Sequence, residues 1–293
     1  MLRFVLESAK FFDTLSHHLL KQRWKELLDV NELPADHYAV FKALTKFSIV
    51  DRDKVFAALG VSVHNPRSGG RRRLCTPHDY RILIRDAGLI EPNLQGFGIP
   101  QGTAISALLS NLYMLEFDSA ALKFVQSYGG TYMRYCDDML FLMPLGMRNP
   151  TEAFVLTELD KLKVEINGDK TEACDFVFVN GRLISNRPLQ YLGFMYDGQR
   201  VVIRSAAFAK FSNRMKRGVS LAKQTMRRKN KLRNRLGASE RALYLKKLLT
   251  RYSHLGKRNF LRYGHSAAKL MDSAAIRKQL RPLWSRLNDE IKK

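Results

Sequence analysis

The stretch TYMRYCDDMLFLM, residues 131–143, places two adjacent aspartates, Asp137 and Asp138, between two apolar runs. Aromatic and other strand-forming residues lie on both sides, so the pattern predicts a β-hairpin with the carboxylates at its tip. Uncompensated burial of two carboxylates is costly, and a tight turn would lift both away from the apolar strands. An exposed type I′ turn explains the pair without any function, because acidic residues are ordinary in turns.

Paired carboxylates at a hairpin tip are also suited to divalent cations, which prefer oxygen ligands. Magnesium usually takes one or two protein carboxylates and keeps water or phosphate oxygens in its remaining positions. Two such ions stabilise the attacking and leaving oxygens of an in-line phosphoryl displacement. The functional alternative is therefore a metal-dependent nucleotidyl transferase, for which a third carboxylate from another strand is expected.

The charge of the chain is strongly uneven. The sequence has 293 residues and a formal net charge of +23 at pH 7. Residues 200–293 contain 27 Lys and Arg against four Asp and Glu, whereas residues 1–199 contain 23 of each. A basic block of this size predicts a polyanionic partner, either nucleic acid or an acidic membrane surface, and the basic-patch pattern favours nucleic acid.

Cysteine content and hydropathy argue against several other classes. Three unevenly spaced cysteines suggest neither a disulfide framework nor a zinc site. No segment approaches the roughly 18 apolar residues of a membrane span. Glu7 and Lys10 interrupt the N-terminal apolar residues, so no signal peptide is expected there. We expect a cytoplasmic protein without a membrane partner.

Hydrophobic periodicity predicts an α+β chain whose strands lie in the first two thirds. The turns Asn180-Gly181 and Asp197-Gly198 predict two further hairpins. Helical spacing predicts one long helix over 103–128, and Thr76 before Pro77 predicts the capped start of another. Basic helices are expected over 206–236, 238–252 and 265–291.

Tyr135-Cys136-Asp137-Asp138, taken together with GIPQGTAISALLSNLYM at 98–114, resembles the reverse transcriptase family. The palm of that family carries a Tyr-x-Asp-Asp hairpin, preceded by a glycine-proline-glutamine-glycine turn that opens a helix. Within the family, the stretch 251–284 is similar to the tails of bacterial phage-defence enzymes, in the retron-like and group II intron-like branch. Further segments that agree in order are FFDTLSHHLL (11–20), LDKLKVEINGDKT (159–171) and LQYLGF (189–194).

The resemblance implies a right-hand polymerase. A palm with an antiparallel sheet and flanking helices is expected over 1–203, with residual fingers helices at about 30–95. A basic all-α thumb is expected over 204–293. The family normally has a fingers region before the first motif, so the fingers are expected to be largely missing, either truncated, reduced or supplied by another chain. Arg71, Arg72 and Arg73 are candidate replacements for the basic residues of the fingers, and a solvated loop is the alternative.

The resemblance also implies a catalytic set. Asp137 and Asp138 would hold two magnesium ions, with manganese as an alternative, and Lys170 would sit near the departing pyrophosphate. The third metal ligand of the family is an aspartate, and that position here is Glu7, with Asp13 as the only nearby substitute. Glutamate is one methylene longer and magnesium needs near-ideal octahedral geometry, so altered efficiency or a degraded site is expected.

Substrate and nucleic-acid contacts are implied at further positions. Phe12 would lie under the sugar and favour deoxynucleotides by blocking a 2′-hydroxyl group. Pro100, Gln101 and Gly102 would lie beside the nascent base pair. The primer grip is expected at Tyr191, Leu192 and Gly193. Contacts with the nucleic-acid backbone are expected at Arg251, Tyr252, His254, Lys257 and Arg258.

The implied activity is RNA-directed DNA polymerisation from dNTPs, with an RNA template and a DNA product, in bacterial antiphage defence. Template-independent or protein-primed DNA synthesis is one alternative, and a catalytically weakened palm that binds RNA is another. A dedicated non-coding RNA, an oligomer and a partner subunit stay open as further partners. His17 and His18 point apart on a helix and are not expected to hold a metal, and Trp24 and Trp284 are expected to pack rather than to stack on bases.

Overall fold

The computed structural model describes residues 2–7, 11–166 and 171–293, and within 2–7 it describes the backbone. In chain order the strands are Leu2–Glu7 (β1), Ser48–Ile49 (β2), Glu91–Pro92 (β3), Thr131–Tyr135 (β4), Asp138–Met143 (β5), Glu172–Val179 (β6), Arg182–Ser185 (β7), Leu189–Tyr191 (β8), Phe194–Tyr196 (β9) and Val201–Ile203 (β10).

The helices cover the main sheet and form most of the C-terminal part of the chain. A π-helical turn at Tyr80–Arg85 continues the fifth of them. They are Phe11–Thr14 (α1), His17–Leu28 (α2), Ala35–Thr45 (α3), Arg52–Ala58 (α4), Pro77–Asp79 (α5), Ser106–Tyr113 (α6), Leu115–Ser127 (α7), Arg148–Lys161 (α8), Ser205–Arg235 (α9), Lys246–Tyr252 (α10), Phe260–Leu270 (α11), Ala274–Leu280 (α12) and Leu283–Lys292 (α13).

The main antiparallel sheet of the described residues has the strand order β4-β5-β1-β6-β7. Strand β1 lies at its centre, although it comes first in the chain. It pairs with β5 from Leu2 opposite Met143 to Glu7 opposite Asp138, and with β6 on its other side. The first residues of the sequence are therefore held beside the hairpin that contains the paired aspartates.

Strand β5 is buried on both faces of the sheet, which explains its uninterrupted apolar run. Side chains alternate across a strand, so successive residues enter different cores. Met139, Phe141 and Met143 pack into the core that lies under helices α2, α3, α6, α7 and α8. Leu140 packs on the opposite face with a cluster that contains Phe176. A strand covered on both sides is a rigid support for the residues at its end.

The C-terminal helices build a second core together with the small sheet of order β10-β9-β8. The side chain of Gln279 donates to the carbonyl of Ile203 and accepts from its N–H, both at 2.9 Å. Ser273 donates to the carbonyl of Val201 at 2.7 Å. These bonds tie the short strands to helix α12, because β10 is an edge strand with free backbone groups on one side.

The structure confirms the predicted hairpins at 131–143 and at Asn180-Gly181, and the capped helix start at Thr76. Asp79 completes a capping box there. The turn at Asp197-Gly198 joins β9 to β10, and Leu192-Gly193 adds a second turn between β8 and β9. No helix in the described parts of the chain is long and apolar enough to span a bilayer.

Three helix predictions are wrong in their extent. The helix expected over 103–128 is interrupted at Met114, where the side chain is almost fully buried and packing overrides the apolar periodicity. The helix expected over 238–252 begins only at Lys246, since the preceding backbone is bound by a side chain of α9. The helix expected over 265–291 is three helices, α11 to α13, with the capping residue Ser273 starting the second.

Candidate active site

The tip of the β4–β5 hairpin is a two-residue turn formed by Cys136 and Asp137. Tyr135 pairs with Asp138 at the ends of the two strands. Cys136 has a φ of 54°, whereas Asp137 is not among the residues with positive φ. A type I′ turn needs a positive φ at both central residues, so the type I′ turn considered from the sequence is wrong. A positive φ at the first central residue alone is typical of a type II′ turn. A non-glycine residue in this region costs on the order of 1–3 kcal/mol and persists where its surroundings hold it.

Arg134 is the side chain that holds this turn. Its Nη1 donates to the carbonyl oxygen of Cys136 at 2.8 Å and to Asn111 at 3.3 Å. Its Nε and Nη2 donate to the two carboxylate oxygens of Asp118 at 2.7 and 2.5 Å. The Arg134 side chain is 6% exposed. A buried guanidinium thus connects helices α6 and α7 to the backbone of the turn.

The environment of Arg134 keeps it charged. Burial opposes the charge, but the hydrogen bonds and negative charge of Asp118 outweigh burial and raise the Arg134 pKa above its ordinary value. Tyr132 donates to Asp118 at 2.7 Å, and burial followed by the charge of Asp118 raises the Tyr132 pKa. The network of Arg134, Asp118 and Tyr132 therefore holds a charged guanidinium, paired with the Asp118 carboxylate, against the turn that contains Asp137.

The predicted metal ligands occupy neighbouring backbone positions. Asp137 and Asp138 are both partly exposed at the tip, and Glu7 is the cross-strand partner of Asp138. The side chain of Glu7 and the whole of Lys170 lie outside the described residues. Asp13, the alternative to Glu7, is exposed in α1. Within the part of the chain that the structure describes, no group of three potential metal-ligating side chains is found.

Of the predicted primer-grip residues, Tyr191 lies near Asp138. Tyr191 ends strand β8, and Leu192 and Gly193 form the turn to β9, with Leu192 at a φ of 55°. Burial raises the pKa of Tyr191, and the negative charge of Asp138 raises it further, so the phenol lies within electrostatic reach of that carboxylate. The structure thus brings a polar aromatic side chain to the same end of the sheet as the aspartates.

The glycine-rich turn at 98–102 packs against helix α1. The N–H of Ile99 donates to the carbonyl of Phe12 at 2.8 Å, and the N–H of Gly98 donates to that of Leu15 at 2.9 Å. A side chain at Gly98 would approach the carbonyl of Asp13 to 3.0 Å, so this contact requires glycine. The turn and α1 therefore form one packed unit.

The remaining predicted residues of this turn are accessible. Gln101 and Gly102 are exposed, and Gly102 has a φ of 81°. The carbonyl of Pro100 accepts a hydrogen bond of 2.6 Å from Ser106, which anchors the turn to the first residue of α6. Phe12 is half-buried and lies edge-on to Phe11, with ring centroids 5.4 Å apart. The turn is thus held at both ends while its middle faces solvent.

A groove of about 1140 Å³ crosses the C-terminal helices between α9, α10 and the loop before α11. We call it the basic groove, because among the described residues that line it are six cations and no carboxylate. Its cations are Lys210, Arg214, Arg217, Arg251, Lys257 and Arg258. Such a concave positive surface is suited to the phosphates of a nucleic-acid backbone.

The basic groove contains four of the five predicted nucleic-acid contacts. Arg251, Tyr252, Lys257 and Arg258 line it, but His254 lies edge-on to Trp284 with ring centroids 5.0 Å apart. The hydroxyl of Tyr252 donates to the carbonyl of Arg214 at 2.9 Å and packs over Gly218, so this tyrosine also joins α10 to α9. The sequence reasoning missed Lys210, Arg214 and Arg217, whose spacing of four and three residues places them on one face of a helix.

Other candidate residues have structural surroundings. His17 donates to the carbonyl of Gly98 at 2.6 Å. Trp24 is buried and donates to His37 at 3.1 Å, as expected for a packing residue. Arg71, Arg72 and Arg73 are exposed in a loop. Trp284 is partly exposed and contacts His254.

Comparisons with known proteins give only distant similarity. No family model and no curated protein sequence matches the chain. Among solved structures, apo telomerase from Candida tropicalis truncated from its C-terminal domain matches with a TM-score of 0.42 and 12% identity over 69% of this chain. Telomerase from Candida albicans in complex with a TWJ fragment of telomeric RNA matches with a TM-score of 0.39 and 13% identity over 75% of it.

The chain spans about a third of the length of these telomerases, since the matches cover 35% of each of the two telomerase chains. Similarity at this level establishes neither a family nor an activity.

Proposed function

We propose that this protein catalyses nucleotidyl transfer in the manner of a reverse transcriptase, extending a DNA strand on an RNA template. The observation that carries the proposal is the register of β1 and β5, which pairs Glu7 with Asp138 next to Asp137. Residues opposite each other in an antiparallel pair are about 5 Å apart at Cβ, the spacing at which two carboxylates can share a cation. Two separate parts of the sequence thus bring three acidic positions to one end of the main sheet.

The acidic residues at the tip have side chains of the kind that magnesium binds. All three carry carboxylates, and hard cations such as Mg²⁺ prefer oxygen ligands, as does Mn²⁺. In this proposal Asp137, Asp138 and Glu7 hold the metal. Bound metal would stabilise the negative charge on the attacking and leaving oxygens of an in-line phosphoryl displacement.

The surrounding residues supply position rather than chemistry. Arg134 fixes the turn through the carbonyl of Cys136, which keeps Asp137 in one orientation relative to β5. In this proposal Tyr191, which lies within electrostatic reach of Asp138, holds the end of a primer strand through its hydroxyl group. Lys170 is proposed as the cation or proton donor at the leaving pyrophosphate. The antiphage role stays a prediction from the resemblance.

The basic groove would hold the duplex of template and primer. Its six cations can neutralise phosphates without selecting a sequence, as a polymerase requires. Residues 1–199 have no net charge, so attraction of the nucleic acid is assigned to the C-terminal helices. Binding and chemistry are thereby divided between two parts of the chain.

Primer extension on a labelled primer annealed to RNA, with Mg²⁺ and dNTPs, tests the proposal. Asp137→Asn and Asp138→Asn keep the size of the side chain and remove its charge, so each should lower the rate by at least about a hundredfold. Glu91→Gln, an exposed position in β3, is the matched control and should leave the rate unchanged. Full activity in Asp137→Asn, or no incorporation by the folded native protein, would contradict the proposal.

The same assay separates the alternatives. Glu7→Gln should abolish extension, whereas Glu7→Asp should retain measurable extension at a changed rate, because aspartate keeps the carboxylate oxygens and differs by one methylene. Incorporation without any template would favour template-independent synthesis. RNA binding without incorporation, unaffected by Asp137→Asn, would favour a palm that only binds RNA.

A further inference from the structure

A second groove, of about 580 Å³, lies between the C-terminal half of α9 and the segment that leads into α10. It is distinct from the basic groove but continuous with it, because Arg251 and Tyr252 line both. We call it the Tyr244 groove. Five cations and one exposed aromatic residue define it, namely Lys229, Arg233, Arg241, Lys247, Arg251 and Tyr244.

The Tyr244 groove is held in shape by a buried amide. Asn230 on α9 is 7% exposed, and its Nδ2 donates to the carbonyl of Arg241 at 2.9 Å. Its Oδ1 accepts from the N–H of Arg241 at 3.1 Å and from Arg233 at 3.4 Å. Both backbone groups of residue 241 are therefore satisfied by a side chain of α9, which fixes the opposite wall of the groove without a helix.

The surface of the groove combines positive charge with exposed apolar area. Tyr244 is 62% exposed and Leu221 is 65% exposed, so apolar side-chain surface faces solvent beside the cations. Within the described parts of the chain, no carboxylate lines the groove; the neighbouring Glu240 lies outside it and accepts from Asn234 at 2.8 Å. Cations that follow a strand together with an aromatic ring that stacks on bases are the features of single-strand binding.

We infer that the Tyr244 groove binds single-stranded nucleic acid, with its cations on the phosphates and the Tyr244 ring stacked on a base. A duplex offers its phosphates but hides the faces of its bases, so it could use the cations and not the ring. Continuity through Arg251 lets a strand that leaves a duplex in the basic groove enter the Tyr244 groove. The inference does not depend on nucleotidyl transfer, because binding needs neither metal nor dNTPs.

Fluorescence anisotropy with the full chain tests the inference. The probes are a labelled single-stranded RNA of about 12 nucleotides, within the site sizes of single-strand binders, and a blunt duplex of the same length. Tyr244→Ala should weaken binding of the single strand by between about fivefold and a hundredfold, the effect of losing one stacked base. Tyr244→Phe should bind like the native protein, since the ring is kept. The duplex affinity should stay the same in both variants.

Two controls keep the result interpretable. Tyr128→Ala removes an exposed tyrosine that follows α7, away from both grooves, and should leave both affinities unchanged. The double variant Lys229→Gln with Lys247→Gln should weaken binding of the single-stranded RNA, because contacts with its phosphates are lost. This variant tests the groove independently if Tyr244→Ala folds poorly. Unchanged single-strand affinity in Tyr244→Ala, or an equal loss for the duplex, would overturn the inference. Loss of primer extension with intact single-strand binding would instead count against the proposed function.

Discussion

The geometry at Cys136 depends on a side chain that is two residues away. Arg134 donates hydrogen bonds to the Cys136 carbonyl, to Asp118 and to Asn111. One guanidinium thus connects the turn to two helices. Lysine could supply the charge but not the forked set of donors. Arg134 is therefore a positioning residue for the aspartates rather than a group that touches substrate.

Arg134→Lys should lower the rate constant kcat of primer extension by roughly tenfold to a hundredfold with little change in KM, because a misplaced aspartate affects the chemical step. Arg134→Ala should also lower the free energy of unfolding by about 3 kcal/mol, since it leaves Asp118 partly buried without its cation. Steady-state kinetics and urea denaturation measure the two effects. Arg182→Ala, at an exposed position in β7, is the control and should change neither.

The backbone strain at Cys136 gives a second prediction. Glycine adopts a φ of 54° freely, whereas a β-branched residue is strongly disfavoured there. Cys136→Gly should therefore be more stable than Cys136→Val by about 1–2 kcal/mol in urea denaturation. Equal stability of the two variants would show that the turn relaxes to a negative φ in the absence of the cysteine.

At the scale of the elements, local sequence patterns predicted the hairpins, whereas contacts between distant residues determine the strand register and the ends of several helices. Two apolar runs around a polar pair fix the β4–β5 hairpin, and Asn180-Gly181 fixes the next one. The pairing of Glu7 with Asp138 joins residues more than a hundred positions apart, and no local pattern contains that register. The resemblance to a known family, rather than periodicity, selected Glu7 as a candidate.

The helix errors have the same origin. Apolar residues at helical spacing continue through Leu243 and Tyr244, but the backbone of Arg241 bonds to the side chain of Asn230 and cannot join a helix. At Met114 neither glycine nor proline marks the break, and the Met114 side chain is almost fully buried there. In both places tertiary contacts override a weak local preference.

The turn between α10 and α11 carries a prediction about packing. A Cβ atom at Gly256 would lie 1.9 Å from the backbone oxygen of Thr250, and backbone cannot move aside as a side chain can. Gly256→Ala should therefore lower the free energy of unfolding by about 1–3 kcal/mol and weaken RNA binding, because Leu255 and Lys257 line the basic groove. Gly96→Ala, where the added atom meets nothing within 4 Å, should be neutral in both measurements. A neutral Gly256→Ala would contradict the described packing of this turn.

For the molecule as a whole, the position of the charge in the sequence predicted the kind of partner but not the shape of the surface. The excess of 23 positive charges lies entirely in residues 200–293. That excess alone is equally compatible with a dispersed positive surface. Only the packing of α9 against α10 brings Lys210 and Arg214 next to Arg251 and makes a groove.

The salt dependence of RNA binding should identify the basic groove as the main site of phosphate contact. Each neutralised phosphate contributes roughly 0.7–0.9 to the slope of log Kobs against log salt concentration, so Lys257→Gln with Arg258→Gln should reduce that slope by about 1.4–1.8. Arg71→Gln with Arg72→Gln removes the same charge from an exposed loop outside the groove and should change the slope little. Anisotropy titrations of duplex RNA over a series of salt concentrations measure both slopes. Equal reductions in the two double variants would mean that net charge, and not the groove, attracts the nucleic acid.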